Sequence, residues 1–400
     1  MDLKNIFVST LRILNAFNTC QDAYNVTKAM RQRGIDADLL ITNKESNVFS
    51  IPLWEDGEIN GKIFGDPLNP NCSILEHLKL PEWIKIVNLN TKLGPLRYLD
   101  FLKELCTIFK NYDVIFAHVP ASMYSMLLRC SYIPYDAGLI RYLPFSKNYL
   151  PPYKKRFYHN IKYQLLKKSY EKAKIILFTN PDTLRIFNEA KLRVQFVPFA
   201  IPHDKYAPKP KKGLFKNYDI VFFMPSRHHW VEKGNYKAIY AYKKFVTKHK
   251  NSLFLMVAWG NDLVRTKELI NKLNIPSKNI KFVDPMPKRK LIDMFNESDV
   301  VLDQFTLGSW GTTTPEAMSC CKPVIMYYNK EVVKECFRSL PPILNAYTID
   351  EIYEKMELCV DPQVRQKYGV QGREWVKKNH NPSLVVDIHI KAAKELLREN

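Results

Sequence analysis

Short apolar runs alternate with amphipathic stretches along the first half of the chain. Ile6–Val8 reads as a strand, Ala23–Met30 as a helix and Ala37–Ile41 as a second strand. Strands at Ile84–Leu89, Val114–Ala117 and Ile175–Thr179, with a helix over Leu99–Phe109, continue the alternation. This order implies a parallel α/β sheet. The Pro-rich stretch Pro198–Pro210, with Lys209, Lys211 and Lys212 at its end, breaks the rhythm and marks a domain boundary. The pattern then restarts with a strand at Asp219–Met224 and a helix carrying Ala238, Ala241, Tyr242, Phe245 and Val246 on one face. Strands at Leu253–Ala258, Ile280–Val283, Val300–Leu302 and Val324–Tyr328 alternate with helices at Val264–Leu273 and Lys288–Asn296. Amphipathic helices near Val364–Lys378 and Leu384–Leu397 close the chain.

The predicted architecture is α/β: two Rossmann-like, doubly wound domains with ligand loops at the C-terminal strand ends, facing a central cleft. Residues 1–205 form the first domain in this reading and residues 206–375 the second. The helix within 376–400 is expected to pack back on the first domain.

Four hundred residues, 46% of them apolar, suffice for two cores of ordinary size. No apolar run approaches the roughly 20 residues of a membrane-spanning helix, and Asn5–Val8 already reads as a strand, so a cytosolic protein is expected. The eight cysteines are scattered without paired spacing or companion histidines, which supports neither a metal site nor a disulfide framework.

Charge adds a candidate partner. The chain carries +20, and Ser146–Lys174 concentrates +8 of it, nine basic side chains against one acidic. That segment interleaves Tyr149, Tyr153, Tyr158, Tyr163 and Tyr170 with Lys154, Lys155, Arg156, Lys162, Lys167 and Lys168. Basic helices with interfacial aromatics favour an anionic membrane surface, which would make the protein peripheral on the cytosolic face. A solvated charged face whose apolar stripe packs on its own domain fits the same residues.

The stretch DQFTLGSWGTTTPEAMSCCKPV, from Asp303 to Val324, carries the densest chemistry. It joins a buried strand end to a turn with Gly308 and Gly311, then to Thr314-Pro315-Glu316, read as N-cap, first helical residue and acidic first turn. Unpaired N–H groups at such a helix start suit phosphate. Glu316 would repel a bare phosphate and is better placed beside vicinal hydroxyls such as those of a ribose; an ordinary strand-to-helix junction whose Glu complements the helix dipole fits the same residues. Upstream, Arg227 and Lys233 flank the start of the second domain's first helix. A planar guanidinium fork and a mobile ammonium there could together neutralise a diphosphate leaving group.

With both motifs in this order, the second half resembles the donor domain of retaining GT-B glycosyltransferases of glycosyltransferase family four. The strings FFMPSRHHWVEKG, AWGND and SDVVLDQFTLGSWGTTTPEAMSCCKPVI carry the resemblance, and the Asp-Gln-Phe strand end points to a subgroup that shares it. In the first half AHVP, AGLIRYLPF, FTNPDTLRIF and VPFAIPHDKYAP follow the order expected for an acceptor domain and its linker. The resemblance implies transfer of a sugar from a nucleotide-sugar donor to a glycan or lipid-linked acceptor, with retention and without an essential metal or other cofactor. It places Arg227 and Lys233 on the diphosphate, Glu316 on the ribose, and the amides of Gly311, Thr312 and Thr313 in the phosphate cradle. Gly260, in AWGND, joins the donor side.

Several positions depart from the family pattern. Gly308 stands eight residues before Glu316, where many members have a second glutamate, so Asp303, Gln304 and Ser309 become candidates for reading the sugar. Asp303 could equally be a strand-end acid bonded to local groups. Cys321 replaces a common glycine before Lys-Pro, at a cost of about 1–2 kcal/mol if its backbone is left-handed. In the first domain His118 ends a strand, and Asp136 stands where related sequences show a histidine; both are candidates for the catalytic centre. Arg141 could pair with Asp136. Asn18 and Thr19 replace a glycine-rich turn on the acceptor side. Asp36 and Asp38 run straight into a strand, which argues against a metal site.

Two other functions compete with sugar transfer. A nucleotide-sugar 2-epimerase shares GT-B architecture but needs acids and a histidine poised for proton transfer. A non-catalytic polyanion binder would use the charge of +20, yet no recognition helix or aromatic-basic strand face is visible, so no nucleic-acid partner is expected.

Overall fold

The computed structural model describes residues 11–45, 48–57, 70–89, 94–145 and 157–398. The predicted strand Ile6–Val8 lies outside the described residues, as do Tyr149, Tyr153, Lys154, Lys155 and Arg156 of the basic segment. The chain forms two compact units. The first holds residues 1–54, 62–200 and 382–400, and the second residues 55–61 and 201–381.

Among the described residues, unit 1 contains seven parallel strands: β1 (Ile13–Ala16), β2 (Ala37–Thr42), β3 (Ile84–Val87), β4 (Val114–His118), β5 (Tyr132–Asp136), β6 (Ile176–Phe178) and β7 (Val194–Phe196). Their order is β3-β2-β1-β4-β5-β6-β7. The strand preceding Asn18 and Thr19 is therefore β1, not Ile6–Val8. Every residue of β1, β2, β4 and β5 is buried, as strands covered on both faces require. Helix α1 (Asp22–Gln32) packs Val26, Ala29 and Met30 into this core. The last helix, Pro382–Arg398, adds Val385, Val386, Ile390 and Ala393 to the same core.

Unit 2 repeats the plan with six parallel strands: β8 (Ile220–Met224), β9 (Ser252–Val257), β10 (Ile280–Val283), β11 (Val300–Leu302), β12 (Val324–Met326) and β13 (Leu344–Asn345), ordered β10-β9-β8-β11-β12-β13. After β8 come the short helix α2 (Trp230–Lys233) and helix α3 (Asn235–Lys248). Helix α4 (Lys288–Glu297) precedes β11, and helix α5 (Thr313–Ser319) follows it. Ala238, Ala241, Tyr242 and Phe245 of α3 are buried against Phe222 and Met224 of β8, so the predicted apolar stripe is the packed one. In both sheets the strand order reverses beside the first strand of the unit. Loops leaving the strand ends diverge there and open a place for a ligand.

Candidate functional site

In unit 2 the reversal lies between β8 and β11, and the two signature segments are the loops that leave these strands. They are tied together. Ser226 Oγ donates to the Asp303 carbonyl at 2.9 Å, and the Phe305 amide donates to the Lys233 carbonyl at 2.7 Å. Lys233 Nζ donates to Gln304 Oε1 at 2.9 Å, which orients the ammonium within the combined loop. Gly234 has φ 64°, and a Cβ on it would lie 2.6 Å from Thr306 Oγ1. The glycine after Lys233 is thus what lets the loops approach.

Arg227 pairs with Glu232, while its side chain stays 42% exposed. The guanidinium has five donors, so this pairing leaves others for an anion. Gly260, at the end of β9, meets the same loop from the other side. With φ 108°, its Cβ would sit 2.5 Å from the His228 backbone, whose amide donates to the Trp259 carbonyl at 2.8 Å. Gly260 therefore packs two loops together. His228 is buried, which pushes its pKa down to about 4 and keeps the ring neutral.

The start of α5 corrects the sequence reading. Thr312, not Thr314, is the N-cap residue, and Thr313 is the first helical residue. Pro315 is the third, where its missing N–H still costs no intrahelical bond. The Thr314 hydroxyl instead donates to Asp303 Oδ2 at 2.8 Å. Asp303 is 2% exposed, and with Ser226 on its carbonyl it fastens both loops to α5. Gly311, Thr312 and Thr313 lie half-buried at the helix start, and a Cβ on Gly311 would meet nothing within 4 Å. Ser309 is buried, its hydroxyl without a hydrogen-bond partner among the described residues. Next to it, Trp310 stacks on Phe337 at 5.7 Å and anchors the loop.

Glu316 is 2% exposed, and its Oε1 accepts from Lys288 Nζ at 2.5 Å. Its Oε2 is buried with no hydrogen-bond partner among the described residues. Sequence reasoning missed Lys288, although a signal was present. Lys288 stands three, four and seven residues before Leu291, Ile292 and Phe295, on the buried stripe of α4. A lysine on that stripe needs an acidic partner.

The contacts found for the first-domain candidates lie within unit 1, although His118 Nδ1 is buried with no hydrogen-bond partner among the described residues. Asp136 is fully buried and accepts from the amides of Gly138 (2.7 Å) and Ile140 (2.9 Å) and from the Tyr170 hydroxyl (2.9 Å), closing the turn after β5. Burial raises its pKa against these bonds. Arg141 does not form its ion pair with Asp136. It grips Asp182 with two bonds of 2.7 Å. His118 is 1% exposed and stacked on Tyr135 at 4.2 Å, and burial pushes its pKa down to about 3. Asn18 donates to Ser50 O at 2.7 Å and accepts from the Tyr24 amide at 3.2 Å, while the Thr19 carbonyl accepts from the Asp22 amide at 3.0 Å. Both hold a loop in which Phe17, Cys20 and Gln21 have left-handed φ of 68°, 51° and 68° without a glycine. Asp38 bonds Tyr112 at 2.6 Å. Among the described residues no group of three or more His, Cys, Asp and Glu could hold a metal ion. No described helix is long and apolar enough to cross a membrane.

Residues 205–375 match the family model of Glycosyl transferases group 1. This glycosyl transferase group 1 segment contains both signature loops, α5 and the Lys288–Glu316 pair. Among solved structures, HepE from Anabaena in complex with UDP and glucose is 14% identical, with TM-score 0.67 over 96% of this chain and 99% of that one. Sucrose-phosphate synthase from Thermosynechococcus elongatus is 14% identical, with TM-score 0.68 over 97% and 100% of the two chains. A glycosyltransferase from Rickettsia africae is 17% identical, with TM-score 0.65 over 98% and 99%. At these identities the likeness is one of fold, and the fold is GT-B. No curated protein matches the chain.

Proposed function

We propose that this protein transfers a sugar from a nucleotide-sugar donor to a glycan or lipid-linked acceptor, with retained anomeric configuration and no essential metal. One observation carries the reading. Within the glycosyl transferase group 1 segment, Arg227, Lys233 and a Glu316 with one unengaged oxygen stand on the elements that flank the β8/β11 reversal. Cleaving the bond from sugar to diphosphate leaves negative charge on the diphosphate. Fixed cations that meet that charge lower the barrier more than they stabilise the bound donor. Arg227 supplies a fork for phosphate oxygens and Lys233 a point charge oriented by Gln304. The amides at Gly311–Thr313 add donors, and Glu316 accepts from ribose hydroxyls. HepE, solved with UDP and with UDP-glucose, shares the fold and makes a uridine nucleotide the first donor to try.

The test is a binding panel of nucleoside diphosphates followed by a hydrolysis screen of the matching sugar nucleotides, with the released sugar's anomer read by NMR. Binding of one nucleotide and slow release of the sugar in the donor's own anomeric form is expected. Inverted product contradicts retention. Exchange of the sugar's C2 proton without an acceptor would instead show an epimerase.

A further inference from the structure

Lys288 enters unit 2 as the first residue of α4, on the stripe that carries Leu291, Ile292 and Phe295 into the core. Only 7% of the residue is exposed. A buried ammonium is costly unless an acid meets it, and Glu316 does so at 2.5 Å. A buried carboxylate oxygen is ordinarily matched by a donor, because leaving it unmatched is costly. Here Oε1 is engaged and Oε2 is not, although both are buried.

We infer that Lys288 is a positioning residue for nucleotide recognition: it fixes the Glu316 carboxylate by one oxygen so that the other is held ready for a ribose hydroxyl. This deepens the donor-site reading above and rests on it. Two physical effects follow from the pairing. The carboxylate loses its freedom to rotate before the ligand arrives, so less order is lost on binding. The ammonium also cancels the charge of Glu316 beside the start of α5, where an unpaired carboxylate would repel a diphosphate. Glu316 can then serve the sugar of the nucleotide without penalising its phosphates.

The decisive comparison uses uridine diphosphate and 2′-deoxyuridine diphosphate, titrated into the full chain and its variants. Wild type is expected to prefer the ribonucleotide by on the order of tenfold, the size of a hydrogen bond to a charged group. Glu316→Gln and Lys288→Met should both shrink that preference to about twofold, and Lys288→Arg should restore most of it. Lys288→Gln can still donate to Oε1 but lacks the charge. It gives a second readout should Lys288→Met fold poorly, with a preference between those of wild type and Glu316→Gln. If Glu316→Gln loses the preference while Lys288→Met or Lys288→Gln keeps it in full, the inference about Lys288 is overturned and the site reading stands. If wild type binds no nucleoside diphosphate of the panel above, or Glu316→Gln discriminates like wild type, the site reading itself fails and takes the inference with it.

Discussion

Cys321 adopts φ 57°, a left-handed conformation that costs a residue with a Cβ about 1–2 kcal/mol. The turn it makes is held from outside, because Gly369 approaches so closely that a Cβ there would lie 2.2 Å from the Cys321 carbonyl oxygen. Replacing Cys321 with Gly removes the strain and returns part of the gain as extra unfolded-chain entropy. Cys321→Gly is expected to stabilise the protein by about 0.5–1 kcal/mol in urea denaturation. A destabilised variant would show that the thiol, not the backbone, matters at this position. Gly308 is the opposite case. Its φ of 78° and a Cβ site 3.2 Å from the Tyr327 ring disfavour any side chain. The backbone at this position therefore favours glycine over a glutamate.

At the scale of elements, unit 1 contains a buried stack in which Tyr135 of β5 lies between His118 of β4 and His389 of the last helix. The Tyr135 hydroxyl donates to Asp22, the first residue of α1. Burial raises the Asp22 pKa from 3.8 to about 7. Below pH 3.8 the carboxyl is protonated in both folded and unfolded chains. Between 3.8 and about 7 only the folded chain holds the proton, so this group's contribution falls as pH rises through that window and is fully lost above it. Asp22→Asn should therefore gain stability over wild type as pH rises from 4 to 7, by up to about 1.4 kcal/mol per pH unit. The difference should be constant above pH 8. Parallel stability curves for the two proteins would contradict the shift.

The same elements show what could be read from the chain. Short apolar runs were legible, and Ile280–Val283, in spite of Lys281, and Val300–Leu302 have the predicted bounds. β5 was missed because Pro134 and two tyrosines break its apolar run, and a proline is unexpected in an inner strand. β7 and β13 have three and two residues, too few to set a period. In the site, Arg227, Lys233 and Glu316 were singled out by the order of two motifs and the family resemblance those motifs carry. Partners distant in sequence, such as Lys288 for Glu316 and Asp182 for Arg141, depend on packing that no local pattern encodes.

Across the whole molecule, the net charge of +20 is what remains after 40 acidic side chains are set against 60 basic ones, and many of the basic residues are paired locally. Lys205 is held by Glu55 and Asp56, Lys211 by Asp299 and Lys212 by Asp293. Much of the basic character near the Pro-rich stretch therefore serves unit 2 itself. The cations left to the signature loops are few and specifically placed. In the proposed function Lys233 meets the diphosphate of a nucleotide. Calorimetric titration of uridine diphosphate into wild type and Lys233→Met tests it most directly, with the melting temperature of each protein as the control for folding. Wild type should bind one equivalent, and Lys233→Met should bind about tenfold more weakly or worse with an unchanged melting temperature. Equal affinities in two equally stable proteins would contradict the account.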